Sequence, residues 1–179
     1  MTYDNTSYPR PLVLLHWLVL AAAALAVAAI EIKGFLPKGT PGRTQATALH
    51  ESLGLVVLLL MTLRLAVRLG CRVPPLPPGP RWLAFSAYAM HGLLYALMLA
   101  MPILGLLALG WSGKPIPFFG ASWSLPLAVN AQLGRAIRDI HEAGANLVFA
   151  AVGLHAAAAL WHQFALGDGL LRRMWWPRR

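Results

Sequence analysis

Long apolar runs alternate with short polar breaks along the chain, and the runs are too long for surface helices. They predict four transmembrane spans, at about residues 12–32, 45–67, 82–109 and 136–165. Each reaches the ~20 residues that cross a hydrocarbon core about 30 Å thick. The breaks carry helix-stopping chemistry. GFLPKGTPG (34–42) mixes Gly and Pro, and CRVPPLPPGPRW (71–82) is too rich in proline for a helix. GWSGKPIPFFGASW (110–123) is too broken for a span but aromatic enough to lie at a membrane interface. Residues 1–11 read as a polar arm. The first run encloses His16 and Trp17 and is longer than the apolar region of a signal peptide, so it reads as a retained span.

The fourth run stands apart. Ile140–His162 is apolar, yet it holds His141, His155 and His162 at intervals of fourteen and seven residues. At about 100° per residue both intervals return to nearly the same face, and fourteen residues span roughly 21 Å. An imidazole inside a bilayer is costly and usually faces the bundle interior with a partner.

Composition agrees with the pattern. Of 179 residues, 58% are hydrophobic and 12% charged, and mean hydropathy is +0.61, whereas soluble domains carry about 25% charged residues. The expected fold is an all-α integral membrane four-helix bundle, one domain over residues 1–179. The net charge of +9 lies in short loops and at the ends, which points to topology and lipid headgroups, not to nucleic acid. Arg10, Arg64, Arg68, Arg72, Arg81, Arg172, Arg173, Arg178 and Arg179 share the side of the termini. Lys33, Lys38, Arg43, Lys114, Arg135 and Arg138 lie on the other. Nine against six predicts that both termini are cytoplasmic. Arg64 and Arg68 read as snorkelling at the end of the second span. Cys71 is the sole cysteine, which excludes an internal disulfide, an iron–sulfur cluster and a cysteine zinc site.

With the termini inside, His50 and His141 fall at one outer level, and His16 and His155 at one inner level. Two imidazoles at matching depth can bind a haem iron from its two faces. Small residues one turn away would admit a porphyrin: Gly54 after His50, Gly144 and Ala145 after His141, Ala158 and Ala159 after His155. Interhelical hydrogen bonding is the competing reading for any one histidine, and small residues also serve close helix packing. A single zinc or copper ion does not reach both levels. His91, whose depth is poorly fixed, competes with His16 as the inner ligand. His91 and His162 otherwise suit hydrogen bonding and proton delivery to a quinone, or capping and propionate anchoring.

LLHWL (14–18), LHESLG (49–54), the proline-rich second connector, IHEAGANL (140–147), GLHAAAALWHQF (153–164) and GLLRRM (169–174) occur in an order that resembles the bacterial cytochrome b561 family over nearly the whole chain. The resemblance implies two b-type haems, with His50 and His141 ligating the outer iron and His16 and His155 the inner one. Within the family it points to the superoxide oxidase type, which takes electrons from superoxide at the periplasmic face and passes them to ubiquinone. Such a protein sits in the bacterial inner membrane as a multi-pass oxidoreductase. On that reading His91, His162 and Trp161 map to the quinone end. Lys33, Lys38, Arg43, Arg135 and Arg138 would steer an anion, or else pair with propionates and with Glu31, Asp139 and Glu142. Two rivals stay open. One is a membrane-anchor cytochrome b subunit carrying electrons between a partner dehydrogenase and quinone; the other is a haem-free helical transporter or assembly protein.

Overall fold

The computed structural model describes residues 7–76 and 79–175. Positions 1–6, 77–78 and 176–179, which include Arg178 and Arg179 of the charge count and two prolines of the connector, lie outside the described residues. The chain is mostly helical. Four helices are long and apolar enough to cross a membrane, in an arrangement consistent with a four-helix bundle: α1 (Arg10–Phe35), α2 (Pro41–Gly70), α3 (Arg81–Trp111) and α4 (Ala131–Trp161). A π-helical turn, His162–Leu166, prolongs α4, and a short 3-10 helix, Leu170–Met174, follows it.

Proline and asparagine set the boundaries. Pro11 and Pro41 sit in first turns, where a missing N–H costs nothing. Leu36 and Thr40 are extended ahead of Pro37 and Pro41, as the proline ring demands. Asn130 caps α4, its side chain accepting the Leu133 N–H at 3.0 Å. The helices therefore overrun the apolar runs: α2 begins at Pro41 and α4 at Ala131.

The buried stripe of α1 is Leu12, Leu15, Val19, Ala22, Ala26 and Ala29, alternating steps of three and four. That repeat of 3.5 suits a shallow left-handed crossing, and its alanines let the neighbouring backbone come close. Val19 and Ala22 pack on Val57 and Met61 of α2, with Tyr95, Met98 and Leu99 of α3 against them. The tight pairs are α1 with α2 and α3 with α4, joined along α2 and α3; α4 has no comparable packing on α1 or α2. At Gly134 a Cβ would stand 2.6 Å from Ser112 Oγ, so glycine sets the closeness of α3 and α4 there. Leu25, Leu59, Phe85, Leu154 and Phe164 stay more than half exposed, a distribution foreign to a water-soluble surface.

The third connection holds a β-hairpin, which the sequence reading treated as an irregular interfacial loop. β1 (Ile116–Phe118) pairs antiparallel with β2 (Ala121–Trp123). The two-residue turn has positive φ at both Phe119 (46°) and Gly120 (99°), as a primed turn requires. The hairpin seats on Ser52 of α2, which is 2% exposed. The Ser52 hydroxyl donates to Ala48 O at 2.7 Å, lies 3.3 Å from Pro117 O and accepts the Phe119 N–H at 3.2 Å.

Candidate functional site

Five of the six histidines gather at two levels. Near the end that carries the α1–α2 loop and the hairpin, His50 of α2 faces His141 of α4, with ring centroids 6.1 Å apart and planes at 82°. Both rings are fixed the same way. His50 Nδ1 lies 2.9 Å from Ala26 O of α1, and His141 Nδ1 lies 2.9 Å from Met101 O of α3. A carbonyl only accepts, so each Nδ1 carries the proton and each Nε2 keeps a lone pair. Metal-ligating imidazoles are held in this way. Gly105 makes room, since a Cβ there would stand 3.3 Å from His141 Cε1.

At the end that carries the termini three rings meet. His16 of α1 and His155 of α4 have centroids 6.4 Å apart at 72°. His91 of α3 lies 5.5 Å from His155. The competition between His16 and His91 is thus real in space, because both flank one imidazole. Trp17 lies edge-on to His16 at 5.2 Å, and its Nε1–H donates to Met174 O at 2.9 Å. Tyr8 N–H reaches Arg173 O at 3.2 Å, and the Arg173 guanidinium reaches Pro75 O at 2.8 Å. The C-terminal segment therefore clasps this end of the bundle.

The two pairs bridge α4 to α2 and to α1, across the seam where the helices keep apart. Metal–nitrogen bonds of about 2 Å on either side of one atom, plus two half-rings, place ring centres roughly 6 Å apart. The donor set and the spacing fit a bis-imidazole iron. Among the small neighbours, a Cβ on Gly54 would meet nothing within 4 Å. Gly144 is different: a Cβ there would stand 2.7 Å from Met101 Sδ. Its smallness serves α3–α4 packing, not a ring face.

Arg64 also departs from expectation. Its guanidinium is drawn into the bundle over the Tyr95 ring, 5.4 Å from the centroid, where the second span was expected to send it to the interface. Nε is shielded and has no hydrogen-bond partner among the described residues.

The remaining candidates divide. His162 Nδ1 bonds Asp168 Oδ2, the only contact of a basic side chain with a carboxylate at salt-bridge distance among the described residues. Asp168 Oδ1 accepts the Leu170 N–H at 3.0 Å. Asp168 lies past the last span; desolvation works to raise its carboxyl, but the His162 and Leu170 hydrogen bonds and the nearby Arg173 charge hold it below the ordinary range. Asp168 was missed in the sequence, where Gly167 and Gly169 mark only a break. Trp161 is exposed. A cleft of about 250 Å³ is lined by Gln163, Phe164, Leu171, Arg172 and Trp175, and Trp161 is not part of its wall. At the other end, one terminal nitrogen of Arg43 donates to Lys33 O and Leu36 O, each at 2.8 Å; it neutralises the C-terminal carbonyls of α1. A cleft of about 450 Å³ lies beside it, with Thr47, Glu51 and Lys114 in its wall. Lys38 and Arg135 are exposed and Arg138 is half-buried. None of them is paired to Glu31, Asp139 or Glu142.

Apolar helices that present bare imidazole nitrogens to one another across an interior seam define the class of multi-pass membrane electron carriers. Residues 7–177 match the family described as prokaryotic cytochrome b561. The chain belongs to that family, whose members carry b-type haem. It is 35% identical over 173 residues to cytochrome b561 homolog 1 of Escherichia coli (strain K12), covering 96% of this chain and 98% of that one. It is 33% identical over 161 residues to the probable superoxide oxidase CybB of Yersinia pestis, covering 89% and 90%. A cytochrome b562 of Cereibacter sphaeroides is 34% identical over 132 residues, covering 73% and 68%. The chain is therefore a multi-pass bacterial membrane protein of oxidoreductase-type electron transfer.

Proposed function

We propose that this cytochrome holds two b haems and carries single electrons across the bacterial inner membrane, from superoxide at the periplasmic face to ubiquinone. His50 and His141 ligate one iron, and His16 and His155 the other. The observation that carries this reading is the first pair: two rings 6.1 Å apart, each with its Nδ1 proton spent on a carbonyl. The His16–His155 separation of 6.4 Å resembles it more than the 5.5 Å of His91–His155, so His91 is left for the quinone end with His162 and Trp161. The similarity to a probable superoxide oxidase supports the substrate.

When bound, the haems supply reversible one-electron chemistry. The chain does the rest. Ala26 O and Met101 O orient the imidazoles, and the apolar helices exclude water from the path. Two superoxide ions each lose one electron to give two O₂, and ubiquinone takes up those two electrons with two protons. His162, held by Asp168 in the tautomer that leaves Nε2 free, and His91 are placed to hand protons over. Lys38, Arg135 and Arg138 present positive charge at the hairpin end, with no salt bridge among the described residues, where an anion would be drawn in. The termini lie in the cytoplasm, by the excess of positive charge on their side.

Rapid mixing of purified protein with superoxide tests the reading. The haem spectrum should reduce within the mixing experiment and reoxidise when ubiquinone is added. No reduction by superoxide, together with copurification of a stoichiometric redox subunit, would instead identify an anchor cytochrome.

A further inference from the structure

We propose that Arg64 fixes the direction of electron flow: it is a permanent positive charge set beside the His16–His155 level that holds the transferred electron there. The inference rests on the two-haem reading above and adds a residue that reading does not use.

Arg64 lies one turn after Met61, which is 1% exposed in the core cluster, and fourteen residues after His50 on α2, the same interval that separates His141 from His155 on α4. The groups that face its charge are known from every neighbouring element. Tyr95 lies under the guanidinium on α3, Tyr8 comes from the N-terminal arm, and Arg68 follows on α2. The charge also acts on His16 of α1, on His91 of α3 and on His155 of α4. No carboxylate is among them, and no carboxylate bonds Arg64 among the described residues. Its Nε is shielded and has no hydrogen-bond partner among the described residues. Arginine does not shed its proton in such a place, so its charge persists at any working pH. A negative charge arriving nearby is stabilised by that field. Between His16 and His155, the arriving charge is the electron.

The other level is built the opposite way. There each imidazole donates Nδ1–H to a carbonyl, at 2.9 Å in both cases. Such bonds make the ring a stronger electron donor, which favours the oxidised metal. The cation that acts on that pair is Lys33, in the last turn of α1, an ammonium on a flexible stem, whereas Arg64 is a guanidinium seated over Tyr95. Both features point the same way: one electron moves from the His50–His141 centre to the His16–His155 centre, with no bond made or broken.

The test is spectroelectrochemical titration of the detergent-purified holoprotein, with His141→Ala used to assign the midpoints. Arg64→Gln should lower the higher midpoint by about tenfold in the reduction equilibrium, 59 mV for one electron, and leave the lower one in place. Unchanged midpoints with both haems retained would overturn the proposal, as would a shift confined to the lower midpoint. Should Arg64→Gln fail to keep both haems, Arg64→Lys takes its place. Its higher midpoint should fall more steeply with rising pH than that of wild type, as the ammonium discharges; a parallel profile overturns the proposal. Wild-type protein holding fewer than two haems per chain would remove the underlying reading and this one together.

Discussion

The hairpin end and the terminal end of the bundle solve the same problem with different means. At the hairpin end two imidazoles are tied to carbonyls of two further helices, so all four helices fix one pair. At the terminal end three imidazoles crowd together beside a half-buried guanidinium, and no side-chain hydrogen bond to His16 or His155 is found among the described residues. The first end orients its pair from all four helices, which suits the proposed entry of an electron without a proton. The second has spare titratable rings, which suits a partner that needs protons as well as electrons. On the proposed reading the electron enters by a proton-free reaction and leaves by a proton-consuming one, which gives the two ends reason to differ.

The largest effects should come from the ligands. His50→Ala or His141→Ala should halve the b-type absorbance per chain and leave the other haem in place; loss of both, or of neither, would break the assignment of levels. The three-ring end comes next. His16→Ala should remove the second haem, whereas His91→Ala should keep both spectra and slow quinone reduction by about 10²-fold, the scale of a lost proton donor. The reverse pattern in pyridine haemochrome counts would make His91 the ligand.

A smaller effect concerns the cover of the hairpin end. Ser52→Ala removes the acceptor of the Phe119 N–H and should cost about 1–2 kcal/mol, visible as a lower midpoint of thermal haem release. A midpoint unchanged from wild type would show that the hairpin does not depend on this seat. The smallest effect belongs to exposed charge. Reversing Lys38 and Arg135 should reduce the superoxide rate severalfold at low ionic strength and flatten its salt dependence. Equal rates at all salt concentrations would leave those residues without a steering role.

Much of this was legible in the chain. The apolar runs gave four helices because lipid leaves the backbone few alternatives. The fourteen-residue interval put His141 and His155 on one face because helix geometry is regular over that length. What stayed hidden depends on contacts between distant segments. Arg64 reads as a snorkelling residue by its place near the end of α2, and only Tyr95 and the packed core show that it turns inward. Arg43 reads as a steering charge until the α1 carbonyls are placed beside it. The hairpin escaped notice because each strand is three residues long and holds Pro117 and Gly120 in or next to it. Gly144 reads either as room for a porphyrin or as a point of close helix packing, and only the placement of Met101 on α3 shows the packing contact. Asp168 needed the π-turn and the left-handed Gly167 to bring it back onto His162.

One helix supplies a histidine to each level. The separation between the two stations is therefore engraved on a single rod, and sliding or tilting of the other three cannot stretch it. A lipid sheet of different thickness would strain the loops and the hairpin long before it altered the distance between the two histidine levels.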